Sequence, residues 1–263
     1  MKQISYLSIL GVPFAKVTMQ ETIDYIIEFI EKKNNPVGMQ IVTANPEIVM
    51  YGVNSHRYMR ILHEAELVLA DGIGVVIASK KWGEDQLPER VAGYDLLHEL
   101  MKYANQYQKK VFLLGASEEV NQLAYEKLQD KFPNAQLVGR RNGFFKADED
   151  AKIIEQIKQA KPDFLFVALG FPKQEEWIAQ YKEQLEVPIM MGVGGSFDGI
   201  AGKVKRAPII WQKLNLEWLY RLIQEPKRWR RMLVLPVFLL KALLTPKEKH
   251  RSKKEGEIRK VKR

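Results

Sequence analysis

The sequence predicts an α/β protein, and three observations predict it. Short apolar runs alternate with amphipathic segments through residues 4–193, small and polar residues gather where the apolar runs end, and only helical patterning continues after Pro208. Apolar strands alternating with amphipathic helices build a mostly parallel sheet covered on both faces. A chain of 263 residues, 46% hydrophobic and 10% aromatic, is long enough to bury such a core.

The elements follow in order. Residues 4–10 read as a strand, and Thr18-Met19-Gln20-Glu21 has the spacing of a capping box opening a helix to about Lys33. A strand over 39–43 stops at Asn45-Pro46, a cap followed by a proline suited to a first helical turn. Ser55 caps a further helix toward Ala65, and residues 67–70 form a buried strand ending at Asp71-Gly72. The second half repeats this grammar: strands at 111–114, 135–138, 164–169 and 189–193, helices at 117–131, 148–159 and 173–184. The result is a Rossmann-like arrangement, with residues 1–208 as one α/β domain. Beyond it, a helix over 209–224, a break at Glu225-Pro226 and a second helix over 227–244 form a C-terminal appendage, residues 209–246. A basic tail, 247–263, closes the chain.

Composition removes several functions. With no Cys there is no disulfide framework, thiol nucleophile or Cys-ligated metal centre. The first ten residues lack the apolar core of an export signal, which places the chain in the cytoplasm. The net charge of +9 is concentrated: residues 221–263 hold 15 Lys or Arg against 4 Asp or Glu, leaving 26 basic and 28 acidic residues before them. Residues 232–244 are apolar except for Lys241, and thirteen residues are too few to cross about 30 Å of hydrocarbon as a helix. Flanked by Lys227, Arg228, Arg230 and Arg231, the segment reads as one lying on an anionic membrane surface, which makes the chain peripheral on the inner face. A core or dimer helix with a solvated tail is the other reading, and it leaves a homo-oligomer open.

In open parallel sheets, ligands sit beyond the carboxyl ends of the strands. Four clusters lie there: Thr43-Ala44-Asn45-Pro46-Glu47, Ala70-Asp71-Gly72-Ile73-Gly74, Leu169-Gly170-Phe171-Pro172-Lys173-Gln174-Glu175, and the glycine-rich run from Gly192 through Gly194, Gly195 and Asp198 to Gly199. The last lets backbone N–H groups approach a phosphate, with Lys203, Lys205 and Arg206 following, and suits a pyrophosphate. Neither glycine cluster completes the dinucleotide fingerprint, and no Gly-Lys-Ser/Thr loop occurs. Asp148-Glu149-Asp150 matches a loose metal-binding pattern but sits where acidic residues commonly start a helix, so no metal is assigned. The four histidines lack ligand spacing. Plainer readings stand beside these: Asn45 as a helix cap, Asp71 as a turn residue, Gln174 and Glu175 as first-turn residues.

Together with Glu89-Arg90-Val91-Ala92-Gly93-Tyr94-Asp95-Leu96, these clusters resemble the WecG/TagA/CpsF family of glycosyltransferases, in order, over roughly residues 4–231. The resemblance implies an inverting, metal-independent enzyme without a cofactor. Such an enzyme moves N-acetylmannosamine from a UDP-sugar donor, UDP-ManNAc, to GlcNAc on undecaprenyl diphosphate. It further implies Asp71 as general base with Thr43 and Gln174 nearby, and Arg221, Arg228 and Arg231 holding the lipid diphosphate, as in the teichoic-acid branch. The residues are compatible with this chemistry. A strand-end carboxylate can take the acceptor's proton, glycine-loop amides and cations can stabilise departing UDP, and Thr43, Asn45 and Gln174 can orient hydroxyl and acetamide groups. Arg90 is a candidate for contacting phosphate or sugar. The alternatives are the same fold acting on another UDP-sugar for capsule or another surface polymer, and a non-enzymatic adaptor for membrane or nucleic acid. The adaptor leaves the strand-end clusters without a purpose, and the tail lacks the regular aromatic interleaving of a nucleic-acid surface, so no nucleic acid is assigned.

Overall fold

The computed structural model describes residues 3–32, 37–214, 216–224, 226, 229 and 233–246. The N-terminal expectation of one strand resolves into a hairpin, β1 (Tyr6–Ile9) and β2 (Val12–Ala15), paired antiparallel. Leu10 and Gly11 both take positive φ, 52° and 83°, as a two-residue turn matching strand twist requires. An apolar Leu at the first turn position hid that turn from sequence reading.

Where side-chain caps were predicted, helices begin. Thr18 forms the complete capping box of α1 (Met19–Glu31), and Asn45 and Ser55 cap α2 (Pro46–Asn54) and α3 (His56–Glu64). Strand β3 (Met39–Ala44) runs between α1 and α2, and β4 (Leu67–Ala70) follows α3. Two helices that sequence reading left out follow: α4 (Ile73–Ser79) and α5 (Gly93–Gln106). Their caps, Gly72 and Ala92, offer no side-chain hydrogen bond, so no start signal was there to find. The remaining body comprises β5 (Lys110–Gly115), α6 (Glu118–Lys131), β6 (Gln136–Arg141), α7 (Asp150–Ala160), β7 (Phe164–Ala168), α8 (Lys173–Leu185), β8 (Ile189–Gly192) and α9 (Ser196–Ala201).

The six strands β3 to β8 form one parallel sheet in the order β4-β3-β8-β7-β5-β6. Alternate residues face opposite layers. Ile41, Leu69, Leu113, Phe166 and Met191 pack with α1, α5 and α6, whereas Val42, Val68 and Ala70 pack with α2, α3 and α4. This strand order positions the site: β3 lies between β4 and β8, and β8 beside β7, so all four predicted clusters emerge side by side at one end of the sheet.

The appendage departs from expectation. Instead of one helix over 209–224 there are two, α10 (Ile209–Lys213) and α11 (Glu217–Gln224). The last described helix, α12, is Val234–Leu244, with Pro236 in its first turn where its missing N–H costs nothing; the start expected at about Lys227 lies outside the described residues. Phe238 and Ala242, one turn apart, are fully buried against Ile48, Val49, Val75 and Val76. Val237, Leu240, Leu243 and Leu244 remain exposed on the other side. Among the described residues, no helix is long and apolar enough to cross a membrane.

Candidate active site

A cleft of about 510 Å³ opens between the strand ends and the appendage. Asn45, Asp71, Gly72, Arg90 and Arg206 line its polar side; Ile73, Ile77, Trp218, Leu235 and Leu239 line the other. Of the residues singled out from sequence, Asn45, Asp71, Arg90 and Arg206 therefore meet in one place.

Asp71 directly follows β4, and its N–H bonds to the Ala44 carbonyl at 3.0 Å, which ties it to the end of β3. Its Oδ2 accepts from the Gly93 N–H at 3.2 Å. Asp71 thus supplies from 22 residues away the first-turn acceptor that α5 lacks locally. The approach is close enough to require glycine, because a Cβ at Gly93 would lie 2.7 Å from Thr43 Oγ1. Thr43 consequently sits behind Asp71, against the start of α5, rather than on the cleft wall. Asn45 does what its plainer reading proposed, capping α2 through the Ile48 N–H at 3.0 Å, while also lining the cleft.

Arg90 faces Asp71 with Nε at 3.6 Å from Oδ1 and holds Glu217 of α11 through Nη2 at 2.6 Å. Burial works against its charge, but Asp71, Glu217 and Asp95 outweigh that and push its pKa above the usual arginine value. Arg206 grips Asp95 at 2.7 Å, stacks over the Tyr94 ring at 4.7 Å and reaches Glu217 at 3.4 Å. Both arginines named as ligand contacts are thus already engaged with carboxylates, and sequence reading missed Glu217 altogether. A partner 127 residues away leaves no local signal.

Gln174 lies beneath the glycine turn and only 5% exposed. Its Oε1 accepts from the Gly194 N–H at 2.9 Å, and its Nε2 donates to Glu175 Oε1 at 2.7 Å. It braces the turn and does not line the cleft. Gly194 has φ of +50°, the left-handed region where glycine is preferred. Glu175 is 1% exposed and surrounded by Gln174, Gln40 and Tyr58, and burial pushes its carboxyl up to about 7. Gly194, Gly195 and Asp198 stand at the neighbouring strand end, off the cleft wall. Lys203 lies off the cleft wall and pairs with Glu119 of α6 at 2.5 Å. The side chain of Arg221, together with Arg228, Arg231 and the 247–263 tail, lies outside the described residues. In the Asp148-Glu149-Asp150 run, Asp150 accepts from Trp177 Nε1 and the Tyr181 hydroxyl, each at 2.9 Å, and Glu149 pairs with Arg141 at 2.7 Å.

Residues 7–253 match a family model described as the glycosyl transferase WecG/TagA/CpsF family. The chain is 42% identical over 233 residues, 89% of its length and 90% of the relative's, to the N-acetylglucosaminyldiphosphoundecaprenol N-acetyl-beta-D-mannosaminyltransferase of Staphylococcus aureus strain MW2. Identity and coverage are the same for the enzymes so named from strains NCTC 8325 / PS 47 and COL.

Proposed function

The chain belongs to the WecG/TagA/CpsF glycosyltransferase family, and from that premise we propose that it transfers N-acetylmannosamine from UDP-ManNAc to GlcNAc carried on undecaprenyl diphosphate. The observation that carries the reading is a strand-end carboxylate, Asp71, facing a cleft with two arginines on its wall, in a chain whose relatives are named for this transfer. In this mechanism the acceptor hydroxyl gives its proton to Asp71 as its oxygen bonds to the anomeric carbon. The bond from that carbon to the donor's phosphate oxygen breaks, and UDP departs with the electron pair. Attack opposite the departing phosphate inverts the anomeric centre. The cations Arg90 and Arg206, with the Gly195 N–H of the adjoining turn, receive the growing charge of the diphosphate in place of a divalent ion, while the Gly194 N–H stays with Gln174. Thr43 and Gln174 act from behind: Thr43 sets the start of α5 against Asp71, and Gln174 holds the turn.

The acceptor's prenyl chain lies in a membrane, so the body must work at its surface. Exposed Ile210, Leu214, Ile223, Leu240 and Leu244 belong to the same appendage as the basic run, supporting a peripheral position on the inner face. Arg221, Arg228 and Arg231 are assigned to the lipid diphosphate on the strength of the resemblance, and residues 209–246 act as a unit distinct from residues 1–208. Purified protein incubated with UDP-ManNAc and a GlcNAc diphosphate-lipid analogue should release UDP in step with disaccharide formation, in EDTA as well as without it. Transfer from UDP-GlcNAc instead, or activity that EDTA removes and Mg²⁺ restores, would overturn the donor or the metal-independent chemistry respectively.

A further inference from the structure

The appendage reaches the candidate base through one buried carboxylate. Glu217, at the start of α11, is only 7% exposed, whereas the other described side chains of that helix are half-buried or exposed. Its Oε2 lies 2.6 Å from Arg90 Nη2 and its Oε1 3.4 Å from Arg206 Nε. Arg206 continues to Asp95, and Arg90 continues to Asp71, so charges of alternating sign run Asp95, Arg206, Glu217, Arg90, Asp71. Two arginines of the body are thereby shared between carboxylates of the body and one of the appendage.

The geometry at Arg90 gives this chain a direction. The guanidinium is a rigid plane, and Glu217 holds its Nη2 edge at full hydrogen-bond contact. The buried Nε, pointing at Asp71, is left at 3.6 Å and makes no hydrogen bond. The short contact belongs to the appendage and the long one to Asp71. Removing Glu217 takes away the opposing pull, and the buried cation's nearest remaining carboxylate is Asp71.

We propose that Glu217 is a positioning residue which couples seating of α11 to the competence of Asp71: seated, it draws Arg90 back from the base; withdrawn, it lets Arg90 close on Asp71 and hold the carboxylate in an ion pair that competes with the acceptor hydroxyl. The appendage then acts on the chemistry itself and not only on where the enzyme sits. The effect on turnover rests on the reading of Asp71 as base, whereas the seating of α11 does not.

The test uses the full chain and two readouts. Amide hydrogen exchange over residues 217–224 reports seating, and steady-state transfer from UDP-ManNAc to a GlcNAc diphosphate-lipid analogue reports chemistry. Glu217→Ala should remove the protection of α11 and lower kcat about tenfold while donor KM stays within about twofold, the pattern of an interaction acting on the reacting groups. Glu217→Gln, which keeps the shape and loses the charge, should fall between Ala and wild type. In an Arg90→Ala background, Glu217→Ala should cost little more, because its effect passes through Arg90. Independent, additive losses from the two substitutions would overturn the coupling, as would a Glu217→Ala protein that keeps both its α11 protection and its kcat, or one that loses protection yet turns over at the full rate. If the wild-type chain does not use this donor, the activity reading fails by itself. Exchange then decides alone: lost protection in Glu217→Ala supports the seating role, and retained protection overturns it.

Discussion

The six-stranded body and the C-terminal segment from Ile209 onward are held in different ways. In the body, strands β3, β5, β7 and β8 are covered on both faces, and residues such as Ile41, Phe112, Phe166 and Met191 are fully enclosed. Among the described residues, the buried hydrophobic side chains of the last helix are Phe238 and Ala242. Polar fasteners among the described residues are Glu217 on two arginines, and Lys81, whose ammonium donates to the carbonyls of Ala242 at 2.7 Å and Leu243 at 3.1 Å and to that of Thr245, closing the end of α12. Asp71, the proposed base, has fixed surroundings in backbone bonds to two neighbouring elements. On the proposed function the segment must admit a lipid-linked acceptor, a task suited to contacts that can release. On that reading the contrast separates a rigid chemical frame from a cover that lifts.

The first way to break this comparison is at the frame. Asp71→Asn should cut turnover about a hundredfold or more, the scale of removing a general base, and should leave the fold almost unchanged because the amide oxygen can still accept from the Gly93 N–H. Steady-state transfer at saturating acceptor, beside a thermal melt, checks both halves. Turnover near wild type would take the base role from Asp71.

The cover should respond to a different substitution. Phe238→Ala empties a fully buried aromatic site between α12 and the α2–α4 layer, a loss of about 3 kcal/mol by analogy with other buried Phe truncations. The segment should then lift. Limited proteolysis should cut after residue 208 much faster than in wild type, with UDP affinity of the body retained. Cleavage no faster than wild type would mean that the appendage is as firmly built in as a strand.

Legibility in the sequence follows the same division. Elements whose start signals are local were readable: Thr18, Asn45, Ser55 and Ser117 cap the helices predicted from them. Helices α4 and α5 were not, since Gly72 and Ala92 provide no side-chain cap and the acceptor for the Gly93 N–H comes from Asp71, in another element. Clusters at strand ends were legible as places, because topology alone brings strand ends together. What each residue touches was not: Gln174 faces the glycine turn instead of the cleft, Lys203 faces α6, and Glu217 escaped notice. Those contacts are set by side-chain direction across long sequence separations, which periodicity does not encode.

The smallest expected effect sharpens what fixed surroundings mean inside the frame, by setting Glu175 beside Asp71. Asp71 is half-exposed with Arg90 nearby; Glu175 is buried among neutral groups and its carboxyl is raised from 4.5 to about 7. Its Oε2, like Oε1 of Gln40, has no hydrogen-bond partner, so the carboxylate form leaves a buried charge incompletely satisfied. Folded chains then hold this proton up to about pH 7, while unfolded chains release it near 4.5. Between those values the native state binds more protons, so its stability falls as pH rises and levels off above the folded value. From pH 6 to pH 8 the loss attributable to this group is about 1 kcal/mol. Glu175→Gln keeps the shape without the ionisation, and urea melts at the two pH values should show its stability changing by about 1 kcal/mol less than wild type. An identical pH dependence in both proteins would show that Glu175 does not titrate in this range, and the brace beneath the glycine turn would then be as fixed as the bonds around Asp71.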